Sequence, residues 1–121
     1  MALAVVTDQP QALLQAIYRK IDEKGIITWG YDHKGHFYYT GDKFALKDKA
    51  RLRPVVQADR IMLYIAPVQE NIRWSVFGAY HGRFLEMLIA NFAKPKMFGF
   101  ASATAQPTAE DQIRFIAPLG F

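Results

Sequence analysis

Cysteine is absent from the chain, which excludes a disulfide framework, a thiolate nucleophile and a zinc–thiolate site. No run approaches the roughly 18 consecutive apolar residues of a membrane helix. The opening stretch, MALAVVTDQP, has no basic segment and too short an apolar run for a secretory signal. A cytoplasmic protein is expected. Also missing are a G-x-S-x-G elbow, a glycine-rich phosphate loop and a dinucleotide fingerprint. Ser75 and Ser102 fall inside strand-like patterns, no cofactor is implied, and neither an internal repeat nor a low-complexity segment occurs.

What is present is a single globular domain over residues 1–121, 51% hydrophobic and 14% aromatic, a composition incompatible with a disordered chain. Fifteen basic residues against eleven acidic leave a formal net charge of +4, short of what a dedicated nucleic-acid binder carries. The excess is local. Lys43, Lys47, Lys49, Arg51, Arg53 and Arg60 lie between Asp42 and Arg60, partly offset by Asp42, Asp48 and Asp59.

Residues 1–7 are expected as an extended arm. Asp8 is placed as an N-cap, with Pro10 in the first turn and Gln11 completing a capping box. Leu13, Leu14, Ile17 and Ile21 recur at helical spacing up to Gly25, a candidate C′ glycine. The period then changes to two. Ile27, Trp29 and Tyr31 share a face that Phe37 and Tyr39 continue after a turn at Asp32–Gly35. Thr28, His36, Tyr38 and Thr40 share the other. Residues 43–50 suggest short helical turns, Val55-Val56 a strand, and Arg60–Ala66 a central strand. Trp74–Tyr80 reads as a further strand leading into a strongly apolar core helix from Gly82. Phe98–Ala105 alternates large and small residues, the small face suiting a close-packed helix, and 112–121 is an edge strand or tail. The fold class that follows is α+β: a two-layer sandwich, mostly antiparallel, of five to six strands with two main helices on one face.

Candidate chemistry is sparse. Asp32, His33 and His36 resemble a metal-ligand set, but no third histidine lies nearby and a polar turn explains them. Tyr80-His81-Gly82-Arg83 sits at the expected strand–helix junction. There, unpaired helix N–H groups and the Arg83 guanidinium would suit an anion or small ligand, with Trp29 and Tyr31 as walls. The plain alternative has Gly82 easing a corner and Arg83 pairing with Glu86 one turn on. No residue is assigned as catalytic and none as a metal ligand. Aromatics from Trp29 to Tyr39 beside the basic stretch to Arg60 give a second possibility: a sheet face that stacks bases and neutralises phosphates. Apolar surface left after two helices cover one face leads to an expected homodimer.

The stretches AIYRKIDEKGIITW with Tyr31-Asp32, and Tyr80-His81-Gly82-Arg83-Phe84 through Leu88, resemble short uncharacterised bacterial proteins of the kind carried in integron gene cassettes. The resemblance covers about two thirds of the chain and brings no catalytic residue with it. It implies a self-contained adaptive gene product of a mobile element. The expected function is therefore a non-catalytic binding module for a protein partner or small ligand. Single-stranded nucleic-acid binding through segment 43–60 and a small acid–base enzyme using His81 are the alternatives.

Overall fold

A computed structural model describes residues 2–41, 49–68, 71–72, 74–93, 99–103 and 114–115. In chain order the elements are β1 (Ala2–Val6), α1 (Pro10–Asp22), β2 (Trp29–Tyr31), β3 (Phe37–Tyr39), β4 (Ala50–Val56), β5 (Arg60–Pro67), β6 (Asn71–Ile72), α2 (Trp74–Phe92), β7 (Phe100–Ala103) and β8 (Arg114–Phe115). The fold is α+β, as its periodicities predict.

Period-two alternation builds the sheet. Leu3 and Val5 on β1, Leu52 on β4, and Ile61, Leu63 and Ile65 on β5 are all buried, and they pair across strands as Leu3↔Leu63, Val5↔Ile61 and Leu52↔Ile65. Strands β2 to β5 run as an antiparallel meander. With β1 inserted between β5 and β7, they form an open six-stranded sheet in the order β2-β3-β4-β5-β1-β7. Residues 2–6 are thus an interior strand, not an arm. Their alternation is only five residues long, too short to stand out at a chain end, and pairing on both sides makes it a strand. A second, two-stranded element joins β6 to β8 in parallel. It includes part of the expected C-terminal edge; the rest of 112–121 lies outside the described residues.

Both helices lie on the same face. Tyr18 of α1 stacks on Phe37 with ring centroids 5.1 Å apart, and Phe84 of α2 meets the same ring at 5.2 Å. Phe84 also meets Trp29 edge-on at 5.0 Å. Among the described residues neither helix packs on the opposite face.

Helix α1 starts one residue later than expected. Its N-cap is Gln9, which makes no side-chain capping bond, and Pro10 opens the first turn. Asp8 is not the cap. Thr7 Oγ1 instead accepts the Gln9 N–H at 3.0 Å. The Asp32–Gly35 turn is as expected: Gly35 N–H donates to Asp32 O at 2.9 Å, and Gly35 has φ 80°. The expected helical turns at 43–50 lie mostly outside the described residues, although Ala50 already belongs to β4.

The largest correction concerns Trp74–Tyr80. This segment is helical and continuous with the rest of α2, so there is no strand and no junction at His81. Val76, Phe77, Tyr80, His81, Phe84, Met87 and Leu88 are buried in a single helical stripe. Gly78 and Gly82, which look like breakers, lie on the exposed side with open space where a Cβ would stand. Nor is α2 wrapped on all sides, since Ile89 is 56% exposed.

Candidate functional site

The residues predicted to share a pocket are distributed among core, rim and solvent. Tyr80 is fully buried, and its hydroxyl donates to Ala50 O at 2.7 Å. Its ring meets Trp29 edge-on at 5.7 Å, so these two do come together, but as core. His81 is only 3% exposed. Its Nδ1 lies 2.7 Å from Phe77 O; a carbonyl only accepts, so Nδ1 carries the proton. Arg83 is exposed and pairs with Glu86 at 3.2 Å, the helical i,i+3 contact that the plain alternative anticipates. Tyr31 donates to Asp22 Oδ1 at 2.7 Å, on the α1 side. Without a helix N-terminus at His81, the backbone N–H groups there are taken up within the helix. The geometry postulated for anion binding at that point is absent.

An open concavity of about 630 Å³ lies between α1 and the β2–β3 turn, lined by Tyr18, Arg19, Asp22, Tyr31, Asp32 and their neighbours. Its hydroxyls are engaged: Tyr18 donates to Gly35 O at 2.7 Å, as Tyr31 does to Asp22. Both phenols hold their protons more tightly than usual. For Tyr18 the main cause is burial, then the negative charge available to Tyr31 and Asp32. For Tyr31 it is the hydrogen bond to Asp22, then burial. Neither is poised as a base. Burial acts to raise the pKa of Asp32, but the N–H groups of His36 and Lys34 and the charges of His36 and Arg51 outweigh it and hold the carboxyl below its ordinary 3.8. Asp32 Oδ1 accepts both of those N–H groups, at 3.0 and 2.9 Å. Among the described residues no three His, Asp or Glu side chains converge on a metal position.

The face of the sheet away from the helices carries the other concentration of functional side chains. Since Phe37, Leu52 and Ile65 point to the helices, alternation sends Tyr38, Arg51, Arg53 and Tyr64 the other way. Arg51 lies over the ring of Tyr38 at 4.8 Å and Arg53 over that of Tyr64 at 5.1 Å. The second pair is directly cross-strand, Arg53↔Tyr64, and Tyr64 is 8% exposed although it points away from both helices. Arg51 also donates to Ala50 O at 3.1 Å and pairs with Asp32 at 3.6 Å. His36, on the same side of β3 as Tyr38, has its pKa lowered, first by burial and then by the charges of Arg53, Lys34 and Arg51, against the pull of Asp32. Farther along, Arg60 is held by Asp59 at 2.9 and 3.0 Å.

Period-two alternation puts Tyr38 on the face opposite Phe37 and Tyr39, but a strand expected only from Val55 does not set Arg51 and Arg53 beside the tyrosines. A strand signal is present: Arg-Leu-Arg alternates at period two, and Pro54, which has no N–H to donate, is acceptable where a strand is paired on one side only. The β3–β4 pairing is confined to Phe37↔Leu52.

No family model matches the chain, and neither the curated proteins nor the solved structures provide a match. Among the described residues no helix is long and apolar enough to cross a membrane.

Proposed function

We propose that this is a non-catalytic binding protein of the cytoplasm whose contact surface is the helix-free face of its sheet, centred on Arg51 and Arg53 and selective for an anionic partner. The observation that carries this reading is the pair of arginine–tyrosine stacks on adjoining strands. A guanidinium laid on a ring has lost part of its rotamer freedom before any partner arrives, so less ordering entropy opposes binding. The small adaptive proteins that the chain resembles fit a binding role. An acid–base role for His81 has less support, because Nδ1 is bound to the helix's own backbone and His81 lines neither concavity at α1.

Retention on a heparin resin tests the reading. The parent protein is expected to need distinctly more salt for elution than the Arg51→Glu/Arg53→Glu double variant, with circular dichroism confirming that both are folded. Equal elution would overturn it. A homodimer through the same face is the second reading, favoured by the small and unbranched apolar residues Ala4, Met62 and Ala66 along it, each half-buried.

A further inference from the structure

Resting on that reading, we infer that the anionic partner is single-stranded nucleic acid, lying across β3, β4 and β5 with the guanidinium groups of Arg51 and Arg53 as its stacking and phosphate contacts. The two arginines diverge. Arg51 leans toward β3 to reach Tyr38, and Arg53 leans toward β5 to reach Tyr64. Their Cα atoms are about 7 Å apart along β4, and neighbouring strands add roughly 4.8 Å of separation to each side. Groups anchored in opposite directions at that spacing cannot close on one phosphate. They suit separate charges of a polymer: about 7 Å along β4 with about 4.8 Å to either side sets them roughly 12 Å apart, about three to four nucleotide steps of a stacked strand.

The ring chemistry distinguishes a nucleic acid from an acidic peptide. Bases stack on guanidinium planes, and those are what this face offers: Arg51 covers the ring of Tyr38, which itself packs across Gly30, and Arg51 keeps 23% of its side-chain surface in solvent with Asp32 also against it. A carboxylate chain would use the charge and leave the guanidinium planes idle. Shape then selects single strands over duplex. Six strands make a face about 24 Å wide, which does not enter a major groove about 12 Å across. Unpaired bases can spread over such a surface. Asp32 and Asp59 sit against Arg51 and Arg60 and dilute the local charge, so affinity should be modest and strongly salt-dependent.

The test is fluorescence anisotropy with labelled oligo-U and oligo-dT of about 12 nucleotides, begun at about 50 mM salt. Binding is expected to weaken with salt and to be at least about tenfold tighter than to a duplex of the same length. Arg51→Ala/Arg53→Ala should weaken it about tenfold or more and reduce the log–log salt slope by about 1.4, at roughly 0.7 per phosphate contact. Asp32→Asn should strengthen it about threefold. That variant keeps Oδ1, which organises the turn, and removes the charge that faces Arg51 and His36. Arg83→Ala, on the other side of the molecule, should change nothing. No binding of either oligonucleotide at low salt overturns the inference, as does a stable dimer that excludes them. If heparin retention still depends on Arg51 and Arg53, only the nucleic-acid assignment falls; if it does not, the binding face falls with it.

Discussion

At the residue scale, the end of α1 shows how a side chain can occupy the wrong backbone conformation. Glu23 is the C-cap; Lys24 N–H donates to Ile21 O at 3.0 Å and Gly25 N–H to Lys20 O at 2.9 Å, the two bonds of a Schellman motif. The left-handed position in that motif is C′, and it is filled by Lys24 at φ 62°, not by Gly25. The glycine signal was legible but one residue out of place. A side chain there costs about 1–2 kcal/mol, against about 0.4–1 kcal/mol of unfolded-state entropy that a glycine adds. Lys24→Gly should therefore stabilise the protein by about 0.5–1 kcal/mol in urea denaturation. His36 gives a pH-dependent case. Its pKa lies below the ordinary 6.5 in the fold, so the unfolded chain binds the proton more readily. The stability His36 contributes is complete above 6.5 and is lost as pH falls from there through the folded value. Thermal midpoints of the parent should fall below about pH 6.5 more steeply than those of His36→Gln.

At the element scale, α2 illustrates local signals losing to packing. Trp74, Val76, Gly78 and Tyr80 alternate as a strand would, and Gly78 and Gly82 each cost a helix about 1 kcal/mol relative to alanine. Burying Phe77, Tyr80 and Phe84 on the sheet returns about 1.5–3 kcal/mol per large side chain, which exceeds the penalty of two glycines. The helical stripe is the pattern that lets Tyr80 and Phe84 both reach Trp29, and Phe84 reach Phe37 as well. Because both glycines are on the exposed side of a helix with room for a methyl group, Gly78→Ala and Gly82→Ala should each stabilise the protein by about 0.5–1 kcal/mol. Had Gly82 formed a strand–helix corner, alanine would destabilise it; an equilibrium unfolding series on the two variants separates these outcomes. The site postulated at Tyr80, His81 and Arg83 depended on that corner, and it disperses once the segment is a helix.

At the scale of the whole molecule, one face of the sheet holds the core and the other holds the stacked arginines, and the two are joined through backbone. Ala50 O accepts the Tyr80 hydroxyl from the helix side and Arg51 Nη1 from its own strand. The core helix and the proposed binding face thus share an acceptor. Much of the architecture could be read in advance: helix α1, the hairpin with its turn at Gly35, the central strand β5 and the α+β class all follow from periodicity and turn chemistry, which depend on a few neighbouring residues. What only the tertiary structure decided is non-local. Nothing in Ala-Leu-Ala-Val-Val says that it will be paired on both sides, by β5 and β7. Likewise, nothing in Arg-Leu-Arg names Tyr38 and Tyr64 as the rings beneath it. Those relations depend on strand order and register, which minimise exposed backbone and apolar surface over the entire chain, and no window of adjacent residues contains that information.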